Sequence, residues 1–532
     1  MSGRRGAGSV RRVRRSSWVL GLLALLLTVP SVLMLARQSA GLERIEVDIP
    51  SSSVAGASVP ATVLVDDPGA RHPVVVVVHG FAGSAMLMDD LGVSLARAGY
   101  AVVLPDLSGH GRNAEPLPLT DGGVGTASTD RLAGDLGDTV GWARSQPWAD
   151  SARLGLLGHS MGAGAVVRYA VAQDDVVATV ALSLPSDADV PEGEPGSPRD
   201  LLLLVGSAEQ SRFTDAALGA LQKAYPDGTW GPGYGSPVDG TARSAEQVDR
   251  ADHITILFSQ QTRQLALDWL DQTVGAPSDG SDAGGSRVPW LLLLTIGAAI
   301  GFVPLARLAL PQRAAPLRTT APARWWAVLL VALGASVAAS LAAKLLGPLA
   351  ARVPLAVGGY VLVWFAVAAL VVALATALVR RGIRGERLAQ AGGWREIAVA
   401  FGLTAYAVVA LGLVASVTWT AFALPGERRM WLLPAELVLI AWFWADDRLV
   451  GDRWWLAVLT RLVAVAVLLA SVVLLGAPGF LSLLVPLVAA VLLLLLVYGR
   501  TVSSRQTVPW SAAMVQGVPL AYLVVTTFPL VS

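Results

Sequence analysis

The sequence predicts two folds in one chain. Residues 42–274 are expected to form a doubly wound α/β domain with a mostly parallel sheet of about eight strands, and residues 289–532 an all-α transmembrane helix bundle. Three observations carry this. Short β-branched runs alternate with amphipathic stretches in the first region. Apolar runs of membrane-crossing length recur in the second, separated by short breaks. Charge divides at the same boundary: residues 42–287 hold 15 Lys+Arg against 32 Asp+Glu, and the rest of the 532 residues hold 25 against 7, so the net charge of +1 is a cancellation. A chain that is 54% hydrophobic and 15% charged is not disordered, and such a composition argues against a purely soluble protein. The acidic soluble part would repel nucleic-acid phosphate, so no nucleic-acid partner is expected. With no cysteine, disulfides and thiolate metal sites are excluded.

The elements follow in order. Residues 1–17 are basic, with Arg4, Arg5, Arg11, Arg12, Arg14 and Arg15, and precede an apolar run over 18–36. That run is longer than a signal-peptide core and its exit, Ala36-Arg-Gln-Ser-Ala40, lacks a clean small-x-small site, so it reads as an uncleaved signal anchor. The arginines hold the N-terminus in the cytoplasm, and the chain emerges outside near Gly41.

In the α/β domain, strands are predicted at 45–49, 61–65, 74–78, 101–105, 153–157, 176–183, 201–205 and 242–248, and helices near 85–98, 129–145, 161–172, 214–224 and 259–273. The five consecutive valines Val74–Val78 suit a central strand covered on both faces. Residues 275–288, rich in Gly, Ser and Asp, read as a linker. Membrane spans are then expected near 289–309, 325–346, 354–379, 396–422, 430–446, 454–475, 479–498 and 509–530, about nine with the anchor. With the α/β domain outside, Arg307, Arg313, Arg318 and Arg324 fall in one cytoplasmic loop, and Arg380, Arg381, Arg384, Arg387 and Arg395 in the next. Arg500 and Arg505 fall in a third. A plasma-membrane, multi-pass protein with an extracytoplasmic domain is the consistent threading. Glu436 and Arg461, the charges expected inside spans, read as a buried pair, or as snorkelling side chains, holding two helices together.

Three motifs stand at strand ends, where open α/β sheets place their sites. Gly158-His-Ser-Met-Gly162 follows the strand at 153–157 and precedes the helix at 161–172. A serine between glycines on a strand-to-helix turn presents Ser160 Oγ, while the helix N-terminus aims the Met161 N–H at a developing oxyanion. His79-Gly-Phe-Ala-Gly-Ser84 follows the central strand and offers the Phe81 N–H as the second donor, with His79 shaping the loop. Asp106-Leu-Ser-Gly-His-Gly111 follows the next strand, with Asp106 and His110 as loop-fixing residues.

In this order, His-Gly-x, Asp-x-x-Gly-His-Gly and Gly-His-Ser-Met-Gly, the region 42–274 resembles the α/β-hydrolase superfamily, nearest to monoacylglycerol lipases and proline iminopeptidases. The resemblance implies a Ser-acid-His triad. Glu209, after Leu201-Leu-Leu-Leu-Val205, stands where most relatives carry Asp, and Asp187 after the sixth strand is the alternative acid. His253, in Ala251-Asp-His-Ile-Thr255, takes the base position. The implied activity is a membrane-anchored serine hydrolase cleaving an acyl ester, esterase, lipase or thioesterase-like, without metal or organic cofactor. Its partners would be the bilayer and an acyl or lipid-like ester. Residues 184–200 leave no room for a large iminopeptidase-type cap, and Trp230 and Tyr234 suit either an acyl-pocket wall or a packed surface loop. The competing reading is a transporter or membrane scaffold whose hydrolase-like domain only binds or regulates.

Overall fold

The structure, a computed structural model, describes residues 3–119, 125–275, 286–310, 324–380, 393–505 and 510–532. Most of the expected linker (276–285) and the basic-loop residues Arg313, Arg318, Arg381, Arg384 and Arg387 lie outside the described residues. The chain divides into two compact units. One holds Leu33–Leu291 together with Ser416–Gly426 and Pro529–Ser532; the other holds Met1–Val32, Leu292–Ala415 and Glu427–Phe528.

The first unit is built on eight strands: β1 (Glu43–Pro50), β2 (Ser58–Val65), β3 (His72–Val78), β4 (Ala101–Pro105), β5 (Ala149–His159), β6 (Ala178–Leu182), β7 (Leu201–Gly206) and β8 (Arg243–Val248). Their order is β1-β2-β4-β3-β5-β6-β7-β8. β2 runs antiparallel to both neighbours, and every pair from β4 to β8 is parallel. The valines of β3 are wholly buried, and the two-residue period sends them to opposite layers. Val75 and Val77 pack in the cluster with Leu91, Leu267 and Leu270; Val74, Val76 and Val78 pack with Leu132, Leu136, Val140 and Val166. Helices Asp89–Arg97 and Gln260–Thr273 therefore cover one face, and Thr126–Arg144 and Met161–Ala172 the other. Each buried valine contributes roughly 1.5–3 kcal/mol. Helix Ser211–Ala224 covers β7 and β8 through Phe213, Ala217, Ala220 and Leu221.

The expected elements are present with shifted ends. The helix expected at 85–98 is a 3-10 turn, Ala85–Met88, followed by Asp89–Arg97. The break has a local cause: the Ser84 hydroxyl accepts the Met86 N–H and caps the tight turn. Asp89 and Asp90 open the α-helix, where its dipole favours acids, and are paired with Arg44, Arg287 and Arg263. β5 begins four residues early, pairing Ala149 and Asp150 with His72 and Pro73 ahead of a bulge.

The second unit is helical. Among the described residues, seven helices are long and apolar enough to cross a membrane: Arg15–Gln38, Val288–Ala309, Trp325–Leu345, Gly358–Leu378, Trp394–Thr418, Trp454–Leu475 and Pro486–Ser503. This departs from the expected count of about nine. The other two expected spans are helices, but Arg428–Val450 carries Arg428, Arg429, Glu436, Asp446, Asp447 and Arg448, and Ser511–Thr527 has only 17 residues. Exposed leucines along the apolar helices (Leu330, Leu333, Leu341, Leu370, Leu374) and exposed Trp325 and Trp454 at helix ends fit a lipid environment, so the chain is a membrane protein.

Of the two expectations for Glu436 and Arg461, the pairing of one with the other is corrected. Arg461 instead faces Asp446 at 3.5 Å and Asp447 at 3.9 Å, and donates to Gln516 Oε1 at 2.6 Å and Leu492 O at 2.7 Å. The helix predicted to stop at 446 continues to Val450, which keeps both aspartates in the helical unit beside the next helix.

Candidate active site

β5 ends at His159, and the helix Met161–Ala172 starts two residues later, so Ser160 alone makes the turn. Its backbone has φ +53 and ψ −115, a conformation that costs a residue with a β-carbon of order 1–3 kcal/mol. Packing enforces it. A Cβ on Gly158 would fall under 3.0 Å from Gly162 O, and one on Gly162 would sit 2.5 Å from His79 O and Val78 O. Only glycines let the strand, the turn and the neighbouring β3 end approach this closely. The Ser160 N–H is held by Leu182 O at 2.8 Å.

The structure brings Ser160, His253 and Glu209 into one line. Ser160 Oγ lies 3.0 Å from His253 Nε2, and His253 Nδ1 lies 2.8 Å from Glu209 Oε2. The carboxylate accepts from Nδ1–H, so Nε2 is left as the acceptor for the serine hydroxyl. The second oxygen, Glu209 Oε1, accepts the Ser183 hydroxyl at 2.7 Å and the Gly206 N–H at 2.8 Å. The Glu209 side chain is fully buried and His253 nearly so. Asp187 lies elsewhere: it is 3.6 Å from Lys223 Nζ, and its carbonyl accepts from the same amine.

Three residues that sequence reasoning passed over complete this cluster. Phe213 stacks on the His253 ring at 4.3 Å between centroids. His159, buried behind the serine, donates from Nε2 to His253 O at 2.9 Å, and burial holds its pKa well below the ordinary histidine value. Ser183 adopts φ +55 and reaches Glu209 from the end of β6. The residue following a strand at the sheet's carboxyl edge is the one available signal for Ser183; none existed for Phe213.

The loop His79–Ser84 passes directly over Ser160, because a Cβ on Gly80 would lie 3.1 Å from Ser160 Cβ. His79 shapes it as a neutral histidine: Nδ1 donates to Gly80 O at 2.8 Å, and Nε2 accepts the Leu107 N–H at 3.1 Å. Burial lowers the His79 pKa to about 4. Phe81 packs edge-on against His110 at 5.7 Å, and His110 also faces His79 at 5.0 Å. Asp106 takes the Ala85 N–H on one oxygen and the Arg112 N–H and Nε on the other, tying the end of the loop to the Gly111 turn. Trp230 and Tyr234 lie in a packed surface loop: both rest on the cluster under helix Ser211–Ala224, and Tyr234 stacks on Tyr225 at 5.4 Å. Among the described residues no group of acids and histidines is arranged to hold a metal ion.

Residues 69–211 match the family model described as serine aminopeptidase, S33. The matched stretch contains Ser160 and Glu209 and stops short of His253. The chain is 30% identical over 131 residues to an uncharacterized 31.7 kDa protein in the traX-finO intergenic region of Escherichia coli, covering 24% of this chain and 43% of that one. It is 28% identical over 142 residues to a thermostable monoacylglycerol lipase of Bacillus sp. (strain H-257), covering 27% and 49%. The matches thus span less than half the length of these curated relatives. Among solved structures, a predicted CIB-like hydrolase from Thermoplasma acidophilum is 20% identical with a TM-score of 0.33, covering 43% of this chain and 98% of that one. An esterase from Pyrococcus furiosus is 19% identical with a TM-score of 0.34, covering 44% and 94%.

Proposed function

We propose that the α/β-hydrolase domain of this membrane protein is a serine hydrolase that cleaves the acyl ester or thioester of a lipid-like substrate through an acyl-enzyme. The observation that carries this reading is the hydrogen-bonded line from Ser160 Oγ through His253 to Glu209. His253 Nε2 takes the serine proton as Oγ attacks the acyl carbon, and Glu209 holds the ring in the reactive tautomer and balances the imidazolium. The Phe81 and Met161 N–H groups serve as oxyanion donors; one such donor is worth roughly 3 kcal/mol. Collapse of the tetrahedral intermediate expels the alcohol or thiol, protonated by His253. Water then attacks the acyl-enzyme by the same base, and Ser160 leaves with its proton restored.

An ester is favoured over a peptide bond because the segment between β6 and β7 is short and supplies no large cap. A lipid-like acyl chain is favoured by the similarity to a monoacylglycerol lipase and by attachment to membrane-length helices. The domain takes the extracytoplasmic side under the positive-inside rule.

The test uses the full chain in detergent with a fluorophosphonate probe and a p-nitrophenyl acyl ester. Wild type is labelled and Ser160→Ala is not. Glu209→Gln retains the fold and loses roughly 10³–10⁴ in kcat, while Asp187→Ala stays within about twofold of wild type. Silence of the wild type towards both reagents sinks the enzyme reading and leaves the transporter or scaffold role.

A further inference from the structure

The loop that carries the Phe81 amide holds a conformation its own sequence resists. Ala82 adopts φ +59, the left-handed region, which costs a residue with a β-carbon roughly 1–2 kcal/mol. Part of the restraint is local. Gly83 N–H closes on Gly80 O at 3.0 Å, His79 Nδ1 donates to the same oxygen, and Asp106 takes the Ala85 N–H. Two groups remain, the carbonyl of Ala82 and the O–H donor of Ser84, whose oxygen already caps the Met86 N–H, in residues that are wholly buried. Both are answered by one residue more than 330 positions away. Trp419 Nε1 donates to Ala82 O at 2.8 Å, and Ser84 Oγ donates to Trp419 O at 2.9 Å. The indole also packs against the sheet-face cluster that contains Leu87.

Trp419 directly follows the apolar helix Trp394–Thr418 in sequence, yet lies in Ser416–Gly426, which belongs to the hydrolase unit. A second distant segment of the chain reinforces the other side of the loop. Leu530 N–H donates to Gly109 O at 2.8 Å and Leu530 O accepts the Leu117 N–H at 2.9 Å, fixing the turn whose His110 packs on Phe81.

We propose that Trp419 is a positioning residue for the oxyanion loop. On the reading of Ser160 as nucleophile, its two bonds, opposite in sense, hold the Ala82–Ser84 turn so that the Phe81 N–H meets the developing oxyanion. Two bonds to one residue set both the position and the tilt of the loop, which a single bond leaves free to swing. Without them Ala82 relaxes towards negative φ and the peptide carrying the donor rotates. Ser160, Glu209 and His253 follow β5, β7 and β8 respectively, outside this loop, so their geometry is untouched. The C-terminal half of the chain then contributes to catalysis as well as to attachment.

The experiment compares wild type, Trp419→Phe and Ser84→Ala as full chains in detergent on a p-nitrophenyl acyl ester. Trp419→Phe removes the N–H donor while keeping an aromatic ring, smaller than the indole, in the packed position. The expected result is a kcat lowered about 10–100-fold, with KM within about twofold, an unchanged pH profile and faster hydrogen exchange in the 79–87 peptide. Ser84→Ala is expected to lose in the same direction. A Trp419→Phe enzyme with wild-type kcat, or one whose KM rises while kcat holds, overturns the proposal. So does a kcat loss matched by a lower Tm with no change of exchange in that peptide. An inactive wild type instead overturns the serine-hydrolase reading, and the exchange comparison still reports whether Trp419 holds the loop.

Discussion

At the residue scale, His79 ties folding to pH. Its imidazole is buried with both nitrogens engaged, and its pKa falls to about 4 from an ordinary 6.5. The unfolded chain therefore binds a proton across that interval and the folded chain does not, so His79 contributes its full stabilisation above pH 6.5 and loses it as pH falls towards 4. The size is about 3 kcal/mol. Burial pushes Asp135 and Asp200 up to about 6, and these act in the opposite direction because the folded state holds their protons more tightly. A His79→Gln variant retains both aspartates, so the stability difference between wild type and variant isolates the histidine. That difference, from denaturant unfolding of the full chain at pH 7 and pH 4, is expected to shrink by about 3 kcal/mol on acidification. A constant difference would show that His79 titrates alike in both states. The choice of acid is also a matter of single residues. Glu209 is one methylene longer than the usual aspartate, and its second oxygen finds Ser183 and Gly206 at the mouth of β7, leaving the first aimed at His253.

At the element scale, the strand-turn-helix of β5, Ser160 and Met161–Ala172 depends on two glycines that touch backbone rather than side chains. A backbone atom cannot move aside as a rotamer can. Gly158→Ala is therefore expected to lower stability by about 1–3 kcal/mol and to displace the serine turn, seen as a lower denaturant midpoint and lost fluorophosphonate labelling. Gly141 is the control. It lies inside helix Thr126–Arg144 with nothing within 4 Å of its missing Cβ, so Gly141→Ala is expected to raise stability by about 0.5–1 kcal/mol without affecting labelling. A Gly158→Ala protein as stable and reactive as wild type would mean that the turn is looser than its packing implies. Central elements were the legible ones: β3 and β4 lie where period and burial predict them, whereas the ends of β5 and β6 and the broken 85–98 helix were set by pairing partners and by the Ser84 cap.

At the scale of the whole molecule, the absence of cysteine makes topology directly measurable. The expected threading puts Asp66 and Gly479 outside and Ser504 in the cytoplasm, and all three are exposed. Single Asp66→Cys, Gly479→Cys and Ser504→Cys chains in intact cells should react with an impermeant maleimide in the first two cases, and only after permeabilisation in the third. The reverse pattern would turn the protein over and place the hydrolase domain in the cytoplasm. The separation of charge makes the outward orientation the expected one, since the basic residues cluster in the loops that the threading leaves inside.

Sequence alone determined the alternation that builds the sheet, the apolar lengths that build the helices, and the motif order that singles out Ser160, Glu209 and His253. All three are local patterns of period, run length and spacing, and each can be read without knowing which segments touch. Tertiary structure decided what depends on distant partners. Arg461 meets Asp446 and Asp447 rather than Glu436, His253 leans on Phe213, Ser183 steadies Glu209, and Trp419 grips the loop at Ala82. Contacts such as these join residues tens to hundreds of positions apart, and a buried polar group takes its partner from whatever the fold brings within 3 Å, which no local pattern encodes.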